Sequence, residues 1–165
     1  EVSIEEHRAA AYWDGADGDD KLVNEYGEVF DANLGEVDDE DLPVLRGPEG
    51  SARQMLIVHQ QLLPVLAPMG SRIESLRLSR RGSWQVTLGD GAVLELGRAG
   101  DQGESAELLE RTARFVRTFG EVQGRFGQPA LKHADLRHVN GYALSLQGVE
   151  VSATPLKPAT SARNR

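Results

Sequence analysis

The chain reads as an α+β domain: a mostly antiparallel β-sheet with helices packed on it, closed by a C-terminal hairpin that ends in an exposed edge strand. Three observations predict this. Two tracts repeat apolar residues at helical spacing, around Met55–Leu66 and Leu108–Phe119. Several short segments alternate apolar and polar residues between Gly-rich turn signals. The segment DLRHVNGYALSLQ, residues 135 to 147, alternates on both sides of an Asn-Gly pair.

In chain order, EVSIEEH alternates Val2 and Ile4 with charged neighbours and predicts a strand already under way at Glu1. Residues 1 to 13 are therefore expected to pack poorly or to form an orphan strand whose sheet belongs to an upstream domain. WDGADGDDK (13 to 21) and DANLGEVDDED (31 to 41) read as solvated acidic loops flanking the strand-like LVNEYGEVF, which turns at Tyr26-Gly27. Residues 47 to 70 predict a helix through Met55, Val58, Leu62, Leu63 and Leu66, kinked and ended by Pro64 and Pro68. Strands follow over 71 to 79, at Trp84-Val86-Leu88 and at Ala92-Leu94-Leu96, the last two joined by Gly89-Asp90-Gly91. Leu108, Leu109, Thr112, Phe115, Val116 and Phe119 form one stripe of a second helix over 104 to 123. Residues 149 to 165 have the polar, Pro-bearing composition of a disordered tail.

Composition narrows the function. The 165 residues are 39% hydrophobic and 27% charged, a globular balance. A net charge of -8 argues against nucleic acid or anionic lipid as the main partner. Without cysteine there is neither a disulfide framework nor a thiolate metal site. His7, His59, His133 and His138 fall in different elements with no pair at metal-ligand spacing. LGRAGDQG lacks the Lys-Ser/Thr of a phosphate loop, and no Gly-x-Ser-x-Gly nucleophile elbow is present. The acidic loops lack the order of a calcium loop. The reading is thus no enzyme and no cofactor, set against an alternative in which a ligand-binding or hydrolytic domain uses the acidic loops.

LVNEYGEVF, LPVLRGPEGSA, LAPMGSRIESLRLSRRGSWQVTLGDGAVLELGR and DLRHVNGYAL together resemble the β domain of the FtsQ/DivIB family of bacterial cell-division proteins. The likeness runs from about Leu22 to Gln147, and VSIEEHRAAAYW looks like the end of the POTRA domain that precedes it. It implies residues 1 to 13 as the end of a POTRA-like domain, 14 to 148 as the β domain and 149 to 165 as the tail. It further implies a single-pass inner-membrane protein with this region in the periplasm and its anchor in an upstream part. The implied role is a divisome scaffold in septum assembly, with FtsB-like and FtsL-like proteins and other divisome components as partners. By position in the family pattern, Arg81, His138 and Leu146 fall where partner contacts cluster, Arg81 facing an acidic partner residue.

The residues themselves point to the same edge. A two-residue Asn-Gly turn would put Asp135 and Arg137 on the apolar face, whereas a three-residue loop over Val139–Gly141 pairs His138 with Tyr142, Leu136 with Leu144 and Ala134 with Leu146. In that register Tyr142, Leu144 and Leu146 bond inward while Ala143, Ser145 and Gln147 turn their N–H and C=O outward. No proline or lysine blunts 142 to 147, so strand addition is expected there unless another segment or the tail covers the edge. Asn140, Gly141, Tyr142, Ala143, Leu144, Ser145 and Leu146 therefore join Arg81 and His138 as the expected partner site.

Overall fold

The computed structural model describes residues 8–15, 20–31, 41–100, 105–138 and 141–153. Its strands are β1 (Ala9–Asp14), β2 (Asp20–Asn24), β3 (Val29–Asp31), β4 (Val44–Arg46), β5 (Ile73–Leu78), β6 (Ser83–Leu88), β7 (Val93–Arg98), β8 (Leu131–Asp135), β9 (Tyr142–Leu146) and β10 (Val149–Ala153). Helix α1 (Ala52–Leu66) lies between β4 and β5, and α2 (Ala106–Arg125) between β7 and β8. All described strands share one sheet in the order β10-β9-β8-β7-β6-β5-β4-β1-β2-β3. Neighbours are antiparallel except β1 with β4, β4 with β5 and β7 with β8. The α+β class and the mostly antiparallel sheet thus agree with the sequence.

The parallel pairs place the helices. A parallel pair needs a crossover, and α1 and α2 supply the crossovers for β4–β5 and β7–β8. α1 packs on β4, β5 and α2, and α2 packs on β7, so one layer covers one face of the sheet. Between them lie Leu45, Leu76, Trp84, Val86, Leu94 and Leu96 from the strands and Met55, Leu62, Leu108 and Phe115 from the helices, each 1% exposed or less. The period-2 pattern in β6, where Trp84, Val86 and Leu88 are buried and Gln85 and Thr87 are not, shows why the alternation forms a half-buried strand. Leu108, Thr112, Phe115 and Phe119 bury along α2, as their spacing requires. Pro64 lies inside α1, in its last turn, and the chain tightens through a 3₁₀ turn at Ala67–Met69, which contains Pro68, before Gly70 ends it at φ +74.

Three expectations change. First, Ala9–Trp13 is no orphan: β1 lies between β2 and β4, with Ala11 and Trp13 buried, because Ala11 and Trp13 alternate in phase with the core face. A boundary at 13/14 would cut β1; residues 1–7 lie outside the described residues. Second, residues Val149–Ala153 are not tail but strand β10, because Gly148 takes φ +81 in a tight turn and VEVSA can then extend along β9. Residues 154–165 lie outside the described residues.

Third, the β8–β9 register differs from the three-residue loop. Ala134 pairs with Leu144 and Asp135 with Ala143, so the connection runs from Leu136 to Gly141. The cause is local. The Asp135 carboxylate accepts the Arg137 backbone N–H at 3.0 Å, and Leu136 N–H donates to Glu95 O on β7 at 2.8 Å. The chain therefore leaves β9 just after Asp135. Gln147 N–H donates to Ala130 O at 2.8 Å, and antiparallel alternation then directs Ala143 and Ser145 toward β8 and Tyr142, Leu144 and Leu146 toward β10. The inward and outward sets are exchanged relative to the sequence expectation, and the free edge of the terminal hairpin is β10.

Candidate functional site

A groove of about 750 Å³ opens where the C-terminal ends of β7 and β8 meet the β5–β6 turn and the first turns of α2. Its walls carry Arg81, Arg98, Arg111 and Arg137 with one carboxylate, Glu107. Four cations against one anion make it a basic site on a chain whose net charge is -8. Ser79 and Ser83 add hydroxyls at the base of the β5–β6 hairpin.

Each arginine is placed by its element. Arg81 is exposed in the β5–β6 turn, where Gly82 takes φ +82 and donates its N–H to Ser79 O at 2.9 Å. Arg111 comes from α2 and donates Nη1 to Leu96 O and, at 3.4 Å, to Arg98 O, fixing its head at the end of β7. Gly97 makes room for this. It sits at a β-bulge with φ +82, and a Cβ there would stand 3.0 Å from Arg111 Nη1 and 3.3 Å from Arg137 Cγ. Arg137 is held in a bidentate pair, Nε to Asp135 Oδ1 at 2.9 Å and Nη2 to Asp135 Oδ2 at 2.7 Å. Those hydrogen bonds hold the Asp135 carboxyl down at about 2, below the usual carboxylate range, against the opposing effect of partial burial. Asp135 thus stays ionised and aims Arg137, which remains half-exposed, at the groove.

The expected partner residues separate into two groups. Arg81 lines the groove beside Arg137, and His138 is exposed next to it, with Nε2 3.9 Å from Asp135 Oδ2. Gly141 precedes β9, and Asn140 lies outside the described residues. The β9 side chains turn elsewhere. Tyr142 hydrogen-bonds through its hydroxyl to Thr118 on α2 and meets Phe115 edge-on at 5.1 Å. Leu144 and Leu146 are core residues, while Ala143 and Ser145 are half-buried and use their backbone on β8.

Arg98, Arg111 and Arg137 were not in the expected set. Arg98 is the last residue of β7 and Arg137 lies two residues beyond the end of β8, and only the parallel pairing of β7 with β8 brings those ends together. Of the histidines, His59 is buried on α1 with its pKa lowered by burial, and His133 Nε2 stands 3.9 Å from Glu95 Oε1. His7 and the acidic stretches 16–19 and 32–40 lie outside the described residues. Among the described residues no three His, Asp or Glu side chains group as a metal site, and no helix is long and apolar enough to cross a membrane.

Fold and groove define an α+β domain of mixed sheet and single helical layer that bears an open, arginine-lined groove at one end of the sheet. The family profile described as "Cell division protein FtsQ/DivIB, C-terminal" matches residues 11–137. Among similar proteins, the cell division protein FtsQ of Nitrosospira multiformis is 38% identical over 143 residues, covering 87% of this chain and 54% of the relative. FtsQ of Burkholderia pseudomallei is 37% identical over 148 residues, 90% of this chain and 56% of the relative. The chain belongs to the FtsQ/DivIB family of cell-division proteins. It spans about half the length of the curated relatives it matches.

Proposed function

We propose that this domain is a non-enzymatic docking module of the division machinery, which recruits FtsB-like and FtsL-like partners at the C-terminal margin of its sheet. In this reading a partner segment pairs as a strand at that margin and sets a carboxylate into the arginine groove. The observation that carries it is the convergence of Arg81, Arg98, Arg111 and Arg137 at the end of the sheet where β9 begins. Basic grooves on acidic proteins concentrate acidic partners and fix their orientation. The whole protein would be anchored by a single pass in the inner membrane, with a POTRA domain and this domain in the periplasm.

The test is binding of an FtsB-like periplasmic segment to Arg81→Glu and Arg137→Glu chains. Each reversal should weaken binding at least tenfold and steepen neither melting curve nor urea transition. For Arg81, an exposed turn residue, the melting temperature should stay essentially unchanged. Undiminished affinity in both variants would remove the groove from the partner site.

A further inference from the structure

We infer that the sheet face opposite the helices is a self-association surface, on which a second copy of this chain docks face to face. Strand alternation builds that face. With Leu45, Leu76, Val86, Leu94 and Ala134 in the core beneath the helices, their neighbours along each strand point the other way. The registers line these neighbours up in two rows across β4, β5, β6, β7 and β8. One row is Arg46, Arg77, Gln85, Glu95 and Asp135; the other, two residues along, is Val44, Ser75, Thr87, Val93 and His133. Both described helices pack on the core side, and every member of the second row is half-buried.

The charges of the first row are sorted. Arg46 registers with Arg77 and Glu95 with Asp135, like beside like, with the neutral Gln85 between the two pairs. Like charges side by side on a sheet are destabilising unless opposite charges offset them. For the outer members the chain supplies the offset: Arg46 Nε meets Asp14 Oδ2 at 2.9 Å, and Asp135 holds Arg137. The inner two are left open. Arg77 is exposed and has neither ion pair nor side-chain hydrogen bond among the described residues. Glu95 accepts a hydrogen bond from the neutral Gln85 amide, with His133 Nε2 3.9 Å away and no arginine or lysine in ion-pair contact among the described residues.

A two-fold axis along β6 offsets both at once. Rotation about it lays β5 over β7 of the second copy and β4 over β8, so Arg77 faces Glu95 of the second copy and Arg46 faces its Asp135, each contact made twice. In the second row Ser75 then meets Val93, Val44 meets His133, and Gln85 and Thr87 lie on the axis against themselves. Aligned sheets of this kind pack about 10 Å apart with interdigitating side chains. From β1 to β9 the face measures about 30 Å by about 17 Å, so a pair buries about 1,000 Å² in total, the low end for a specific interface. The dimer is therefore weak, its specificity set by the charge pattern. It does not rest on the docking reading above.

Sedimentation velocity of the chain at rising concentration, up to about 1 mM so that even a weak pair is populated, tests this. The unaltered chain should pass from monomer toward dimer. Arg77→Glu and Glu95→Arg should each raise the dissociation constant at least tenfold, because each sets like charges face to face twice. An equimolar mixture of the two variants should recover the association, since every altered side chain then meets its opposite. A monomeric unaltered chain, a dimer that neither variant weakens, or a mixture of folded variants that stays monomeric overturns the inference. A second measurement stands even where a charge variant fails to fold. The chain has no cysteine, so Thr87→Cys and Glu121→Cys each carry a single thiol. A short bismaleimide should join Thr87→Cys copies, which meet on the axis, and leave Glu121→Cys copies, on the exposed side of α2, as monomers. Crosslinking of neither, of both alike, or of Glu121→Cys alone overturns it. A monomer whose Thr87→Cys thiol also resists maleimide would mean that the chain covers this face itself, which overturns it equally.

Discussion

Tyr142 was expected at the partner surface, and its geometry makes it a tie between β9 and α2 instead. Tyr142→Phe deletes one hydroxyl–hydroxyl bond to Thr118 and nothing else. A net intramolecular hydrogen bond is worth about 0.5–1.5 kcal/mol, which in a domain of this size lowers the melting temperature by about 2–6 °C. Tyr142→Ala adds the loss of the edge-on contact with Phe115, about 0.5–1.5 kcal/mol, and of a half-buried ring, about 1–2 kcal/mol. The alanine variant should therefore lose about 2–5 kcal/mol in urea unfolding followed by circular dichroism. Thr118 also bonds Arg114 O and Phe115 O, so Thr118→Val alone misstates the pair. The double variant with Tyr142→Phe isolates the coupling. Partner affinity of Tyr142→Phe should match the unaltered chain. A phenylalanine variant with unchanged melting and tenfold weaker partner binding would refute this reasoning and return the side chain to the interface.

Gly27 turns the β2–β3 hairpin at φ +81, with its would-be Cβ 2.6 Å from Arg53 Cα, so Gly27→Ala should cost more than the ~1–2 kcal/mol of a left-handed residue. Gly50→Ala, at φ +83 with nothing within 4 Å of the added carbon, should stay inside that range, and denaturant midpoints compare the two. Asp135 is depressed from 3.8 to about 2 in the folded chain, so its stabilisation is fully present above the ordinary carboxylate value and lost as pH falls through about 2. With Arg137 half-exposed the gain is discounted to about 1 kcal/mol, and Asp135→Asn should lose that amount at pH 6 and nearly nothing at pH 2.

The local elements were legible because each is written in a short window. Trp84, Val86 and Leu88 alternate, Gly89-Asp90-Gly91 turns the chain, and the Leu108–Phe119 stripe can satisfy its apolar face only as a helix. The parallel pairings β4–β5 and β7–β8 were not, since each joins strands separated by a whole helix and no window contains both. The groove was hidden for the same reason: Arg98 and Arg137 become neighbours only through the β7–β8 pairing. Arg81 was reached through family resemblance. The three-residue loop looked coherent because Leu136 is indeed buried, at 1% exposure, but it follows β7 rather than β9. In VEVSA, two valines in a polar, proline-bearing stretch were too weak a period to outweigh its composition.

That exchange of register has a consequence for proline at Ser145. With a three-residue loop, Ser145 would hold an outward N–H that only an added strand could use, and proline there would spare the fold while abolishing docking. In the structure Ser145 registers with His133 and donates toward β8, inside the sheet. Proline has no N–H and its ring crowds the neighbouring strand, so Ser145→Pro should break the β8–β9 ladder and cost about 2–4 kcal/mol. Glu150 registers with Ser145 from the other side but turns its own N–H away from β9, so Glu150→Pro should cost less than about 1 kcal/mol. Urea midpoints of the two variants rank them without any partner present. If Ser145→Pro proves as mild as Glu150→Pro, the Asp135–Ala143 pairing is wrong and the shorter loop is right; if it is the costlier by several-fold in unfolding constant, the carboxylate of Asp135 has set the register by taking the Arg137 N–H and ending β8 early.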